Sequence, residues 1–462
     1  MRAIFPSTIV AAATALSSLL ILYSPEWLSG QATAAGALSL VIIALYATGL
    51  ITEALTSLLF FLMAMIFAIA PGSVVFSGFN SAAFWIIFGG LVLGLAIRHT
   101  GLGEQIAKSL TNAMPSRYVQ LVAGAVTVGG IFAFFMPGSI GRVVLLVPIA
   151  LAVSDRLGFS AGRNGRVAIA LGAILGTQIF SIGILPANVP NAVWLGSLET
   201  ILRTDISYFT YLLWNLPILG LFRVILLTSL LIWLFPDQPE RISEKPNNSK
   251  SSGPTRAHWH LGIVLLVALI FWMTDIYHGI SPAWIALAAA CYCLLPGTGL
   301  VPEKPLAKLD IQPLLFVAAI LGLGAVIRDS GLAEMLFERA LPLLPFGSDG
   351  SDAWNFGLLA MAGTVLSVLT TAPGVPAILM PLAPELAGQL DWSIDAIAAT
   401  VVVGYSTSLL PYQLPPVLIG AQLAGISIST VTRLLLLHSL LTFLLAFPLQ
   451  FGWLRWLGVL PS

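Results

Sequence analysis

Apolar residues do not alternate with polar ones along this chain; they come in long runs. A helix needs about 20 residues to cross a bilayer, and runs near that length recur from end to end. The pattern predicts helices over 7–24, 36–51, 55–70, 82–98, 211–235, 258–275, 282–295, 312–328 and 430–454. Two longer stretches, 167–202 and 394–425, carry prolines that break them near 184–190 and 410–415. Two pairs of runs, 117–134 with 142–157 and 354–369 with 376–390, are joined by turn-forming residues and predict hairpins. The stretches 101–113 and 331–341 are amphipathic and predict short helices lying along the membrane surface.

Polar residues concentrate at 236–257, a segment rich in Pro, Ser, Asn and charge that reads as a loop outside the bilayer. It separates two halves that resemble one another. "GLAIRHTGLGEQI" from Gly94 matches "GAVIRDSGLAEML" from Gly324, and "LPANVPNAVWLG" from Leu185 matches "LPYQLPPVLIG" from Leu410. Two such pairs, in the same order and at nearly equal separation, indicate duplication. The organisation expected is an N-terminal transmembrane helix in 1–35, a first repeat in 36–235, a cytoplasmic linker at 236–257 and a second repeat in 258–462.

The start of the chain, Met1 and Arg2 before an apolar run, fits either a cleaved leader or a retained first helix. The run exceeds a usual leader core, which favours a retained helix with its N-terminus in the cytoplasm. With residue 1 inside, the outside keeps only Arg203, Arg328, Arg339 and Arg455, as a positive-inside bias requires. The first hairpin then enters from the cytoplasm and the second from outside. The predicted fold is an all-α polytopic membrane protein with two inverted-topology repeats, about eleven transmembrane helices, two re-entrant hairpins and two broken helices.

Composition narrows the function. The chain is 58% hydrophobic and 9% charged, against roughly 25% charged in a soluble globule. The net charge of +0 gives no reason to expect nucleic acid. Cys291 and Cys293 form neither a disulfide framework nor a CxxC metal site, and the five histidines have no metal-site spacing. No HExxH, GxSxG or intramembrane acid pair points to an enzyme. Glu53 reads as an interfacial cap, and Arg223 as a residue that pairs or snorkels, its partner not nameable from sequence.

The chemistry is expected where the helices break. In "FMPGSIGR", residues 135–142, Pro137 and Gly138 stop one helix and Ser139 caps the next, whose N-terminal N–H groups and dipole favour an anion. Arg142 adds a full charge, which either meets a ligand anion or pairs with a buried acid; the ligand-facing reading is adopted. In the second half "LTTAPGVPA" places Thr370, Thr371, Pro373 and Gly374 at the matching tip. The broken helices supply Thr177, Gln178, Asn188 and Asn191, then Ser406, Thr407, Tyr412, Gln413 and Pro415. The expected substrate-binding set is Gly138, Ser139, Ile140, Arg142, Asn188, Asn191, Thr370, Thr371, Pro373, Gly374, Gln413 and Pro415.

"GLITEALTS", "FWIIFGGLVLGLAIRHTGLGEQIA", "LLVPIALAVSDRLG" and the Pro/Asn segments resemble the divalent anion:sodium symporter family, part of the ion transporter superfamily, over roughly residues 36–450. The resemblance implies eleven transmembrane helices, two re-entrant hairpins, a homodimeric scaffold and an elevator-type movement that carries dicarboxylates, citrate or sulfate, usually with Na⁺. The family's Ser-Asn-Thr hairpin tips fall here on Gly138, Ser139, Ile140 and on Thr371, Ala372, Pro373. Its Gly-Thr-Pro-Pro-Asn segment keeps Asn191 in the first half and has Val417 at the Asn position in the second. Ser139, Asn191 and Thr371 are therefore the only residues carried over as Na⁺ ligands. Arg142 could replace the charge of Na⁺, leaving Na⁺-independent exchange or H⁺ coupling as alternatives to symport. The function expected is secondary active transport of small anions across the cytoplasmic membrane, with a passive anion channel or a membrane-embedded enzyme as the readings from other classes. No cofactor is expected beyond Na⁺; the partners are the anion, the bilayer and a second copy of the chain.

Overall fold

The computed structural model of the chain describes residues 4–112, 117–136, 138–239, 255–340, 346 and 351–461. Arg2, Pro137 and the linker residues 240–254 lie outside the described residues. The described chain is mostly helical and contains no strand among its described residues. Leaving aside single turns, in order the helices are α1 (Ile4–Leu22), α2 (Gly30–Thr48), α3 (Glu53–Ile66), α4 (Ala82–Thr100), α5 (Leu102–Asn112), α6 (Tyr118–Phe135), α7 (Ser139–Arg156), α8 (Asn164–Ser181), α9 (Val189–Thr200) and α10 (Tyr208–Leu234). After the linker come α11 (Arg256–Met273), α12 (Pro282–Leu294), α13 (Gln312–Asp329), α14 (Leu332–Ala340), α15 (Asp352–Leu369), α16 (Gly374–Leu379), α17 (Ala383–Leu390), α18 (Ile394–Ser406), α19 (Pro415–Ala424) and α20 (Ile428–Trp456).

Local chemistry sets many of these starts. Ser29, Thr52, Ser81, Ser351, Ser393 and Ser427 each accept a first-turn N–H and cap α2, α3, α4, α15, α18 and α20. Gly49 and Gly425 end α2 and α19 in the left-handed conformation that glycine adopts without strain.

Among the described residues, eight helices are long and apolar enough to span a bilayer: α2, α4, α6, α10, α11, α13, α15 and α20. The expected helix 55–70 ends at Ile66, because Ala68 turns the chain at φ 47°. That leaves α3 with 14 residues, which rise about 21 Å against a hydrocarbon core of about 30 Å. Leu58 and Leu62 on α3, and Ile263, Val267 and Ile270 on α11, form exposed apolar stripes at helical spacing. Such stripes suit lipid. The protein is a multi-pass helical membrane protein.

The packing comes in matched pairs. α4 packs on α12 and α3 on α13; α6 packs on α8 and α15 on α18; α7 packs on α19 and α9 on α16. Glycine allows close crossings: a Cβ on Gly176 of α8 would lie 2.5 Å from the carbonyl oxygen of Val126 on α6, and one on Gly404 of α18 would lie 2.8 Å from the Cα of Gly363 on α15. The last long helix before the linker and the last of the chain each contain a π-helical segment, Leu216–Phe222 in α10 and Thr442–Ala446 in α20.

Candidate functional site

Both hairpins and both helix breaks have local causes. At the first tip Met136 leaves α6 extended, Gly138 adopts φ 94°, and Ser139 opens α7. At the second, Thr370 ends α15 and its Oγ1 donates to the Leu366 carbonyl at 2.8 Å. In the first break a 3₁₀ turn, Leu185–Ala187, connects α8 to α9; the Asn188 side chain caps α9 by accepting from Asn191 N at 2.9 Å. In the second break the turn is Pro411–Gln413, and α19 opens on Pro415 and Pro416, which have no N–H to offer.

The expected site residues divide into two groups. Gly138, Ser139, Ile140, Asn188, Pro373, Gln413 and Pro415 line one cavity of about 770 Å³. Both tips and both breaks therefore reach the same space. Thr370, Thr371 and Gly374 instead line a separate void of about 20 Å³ against α2 and α13, so the threonines of the second tip do not line the large cavity.

Arg142 departs from the ligand-facing expectation. It is fully buried and does not line the cavity. Nη1 donates to the carbonyls of Met136 at 2.7 Å and Ala187 at 3.0 Å. Nη2 donates to Ser139 Oγ at 3.0 Å and to the Thr177 carbonyl at 3.4 Å. No carboxylate pairs with it among the described residues. The interrupted helices expose unpaired carbonyls, whose partial negative charge accommodates the cation.

Asn191 is likewise occupied with the backbone. Its Nδ2 donates to the carbonyls of Ser181, Ile182 and Ile184 at 3.1, 3.1 and 2.9 Å, while Oδ1 accepts from Tyr405 Oη at 3.1 Å. Gln413 lines the cavity but also braces it: Oε1 accepts from Leu409 N and Leu410 N at 2.8 and 2.7 Å, and Nε2 donates to Ser367 Oγ of α15 at 2.7 Å.

The cavity is graded in polarity. Its rim carries the exposed charged side chains of Glu53, Arg98, Glu104, Lys308 and Asp310. Farther in, Gln178, Ser181, Ser406 and Ser408 present polar atoms between apolar walls. Arg223 of α10 and His438 of α20 also line it, 2% exposed each. Arg223 is marked in the sequence as a lone cation inside a long apolar span, a pattern that does not give its place. Nothing in the sequence marked His438, whose Nε2 lies 3.2 Å from the Arg223 carbonyl oxygen. A dry wall with a few convergent polar groups and a helix N-terminus suits a small anion.

The chain resembles known membrane proteins over much of its length. Inner membrane protein YbhI of Escherichia coli K12 is 23% identical over 290 residues, 61% of this chain and 60% of that one. The citrate/succinate antiporter of the same organism is 25% identical over 208 residues, 43% of this chain and 42% of the antiporter. The chain thus matches under two thirds of the length of either relative. The solved YdaH transporter of Alcanivorax borkumensis shares the fold, with a TM-score of 0.55 and 17% identity over 83% of this chain and 88% of that one. The profile of the citrate transporter family matches residues 6–404. A match of that extent, on a polytopic helical scaffold with both hairpin tips and both helix breaks at one cavity, places this chain in the citrate transporter family, among transporters and not enzymes.

Proposed function

We propose that this protein is a secondary active carrier of small di- or tricarboxylate anions in the cytoplasmic membrane, of the divalent anion:sodium symporter type, working as a Na⁺-independent exchanger. The observation that carries the reading is the shared cavity of about 770 Å³ lined by both hairpin tips and both breaks, beneath one charged rim. The α7 N-terminus at Ser139 supplies unpaired N–H donors to an anion there. Residues 36–235 and 258–462 are the two inverted repeats. The paired packings and the matching π segments support that assignment. Movement of the hairpins and broken helices against the remaining helices, in a homodimer with its N-terminus inside, provides alternating access.

Na⁺ independence is favoured by the surroundings of the three carried-over ligands. Ser139 Oγ accepts from the Arg142 guanidinium at 3.0 Å, which repels a second cation. Asn191 has its amide committed to three carbonyls, and Thr371 lines the other void. These positions do not assemble a Na⁺ site. Exchange in proteoliposomes loaded with citrate, with Na⁺ replaced by choline outside, tests the reading. Trans-accelerated uptake of succinate or citrate in choline is expected; strict Na⁺ dependence removes the exchanger assignment, and uptake without trans-acceleration indicates a channel.

A further inference from the structure

Arg223 stands near the middle of the 27-residue apolar span Tyr208–Leu234. It is 2% exposed, yet Nε and Nη1 have no hydrogen-bond partner. No carboxylate among the described residues lies within ion-pair distance. Arg142 also has an unpartnered Nε, but its Nη1 and Nη2 donate to four protein oxygens, whereas no hydrogen bond satisfies Arg223 Nη1. A buried guanidinium left unpaired at membrane depth is strongly unfavourable; Nε and Nη1 are enclosed, and Nη2 is the nitrogen left to face the cavity that the side chain lines.

Local structure accounts for its direction. Arg223 directly follows the π segment Leu216–Phe222. A π turn inserts one residue, rotating the downstream part of the helix by roughly 100° relative to a regular one. The neighbouring wall is made by Leu435 and His438 of α20, which stop short of supplying an acid.

We propose that Arg223 is a substrate-binding residue that receives one carboxylate of a di- or tricarboxylate, while the α7 N-terminus at Ser139 receives another. The two line the same cavity from different elements. A planar guanidinium suits a carboxylate, and two separated positive sites select for anions with two acidic groups over those with one. This assignment rests on the carboxylate-carrier reading above.

The test is a thermal-unfolding titration of purified protein with citrate, succinate and acetate, for the parent and for Arg223→Met and Arg223→Lys. The parent is expected to be stabilised by citrate and succinate and little by acetate. Arg223→Met should melt at or above the unliganded parent, since an uncompensated buried charge is gone, and should bind citrate on the order of tenfold to a hundredfold more weakly. Arg223→Lys, which keeps the charge without the planar donor set, should fall between the two. Should Arg223→Met not fold, Arg223→Lys decides alone: citrate binding at parental strength rejects the assignment. A parent that responds to citrate while both variants respond equally overturns the role of Arg223 only. A parent that responds to neither citrate nor succinate overturns the carboxylate-carrier reading, and this assignment with it.

Discussion

Arg142 Nη1 donates to the carbonyl oxygen of Ala187 at 3.0 Å, joining the tip of the first hairpin to the break in the following helix. Through the same guanidinium the tip is held to Met136 and Thr177. The cation therefore serves as a strut behind the cavity wall, and its substitution should behave unlike that of Arg223.

Arg142→Met is expected to lower the thermal-unfolding temperature, because it orphans the buried carbonyls of Met136 and Ala187 at about 1–3 kcal/mol each, offset in part by removal of the charge. Arg142→Lys should recover part of the loss. A rise in melting temperature for Arg142→Met, like that expected for Arg223→Met, would show that the strut carries no stability.

Gln413→Ala removes the acceptor for Leu409 N and Leu410 N and the donor to Ser367. The expected loss is about 2–4 kcal/mol of stability, from orphaned groups at the second break. Gln413→Glu keeps the acceptor for both amides and should retain more of it. Denaturation in detergent, read by intrinsic fluorescence, orders the three proteins.

Gly404→Val puts two extra methyls and a Cβ where α18 crosses Gly363 of α15 with no room for them. The expected penalty is at least about 1–3 kcal/mol, with loss of monodisperse protein on size exclusion. Gly388→Val, at a position with nothing within 4 Å of the added Cβ, is the control that should stay near the parent.

Outside the membrane, Arg163 donates to both oxygens of Asp237 at 3.2 and 2.5 Å, and Gly165 N adds a third bond at 2.9 Å. The Arg163 hydrogen bonds hold the Asp237 carboxyl below the usual carboxylate range. A carboxyl lowered in the folded state stabilises above its unfolded pKa and loses that contribution as pH falls through the folded value. Melting temperatures of the parent and Asp237→Asn should thus differ by a constant amount above about pH 5 and converge as the pH falls below about 4. A gap that stays unchanged down to pH 2 would contradict the pairing.

The hairpins and the breaks could be read in sequence because Pro and Gly act on their own turn: "FMPGSIGR" stops and restarts a helix wherever it lies. Side-chain direction is another matter. Arg142 turns toward Ala187, far along the chain, and no local pattern encodes that choice. Thr370 and Thr371 were expected beside the anion on composition; in the fold, the packing of hairpin two against α2 and α13 turns them to another void. Arg223 was visible as a charge in an apolar run, but its missing partner could be recognised only once every neighbouring carboxylate had a position. The early end of α3 escaped notice because "AIAPGS" still reads as apolar up to its proline.

The helix starts around the cavity are chemically unequal. α19 begins with two imino acids, and the first amides of α9 include Pro190 and one already claimed by Asn188. α7 instead greets an incoming molecule with first-turn N–H groups that no side chain caps. The cavity thereby acquires a head and a tail, and a symmetric solute such as succinate would settle there with its two ends in different surroundings.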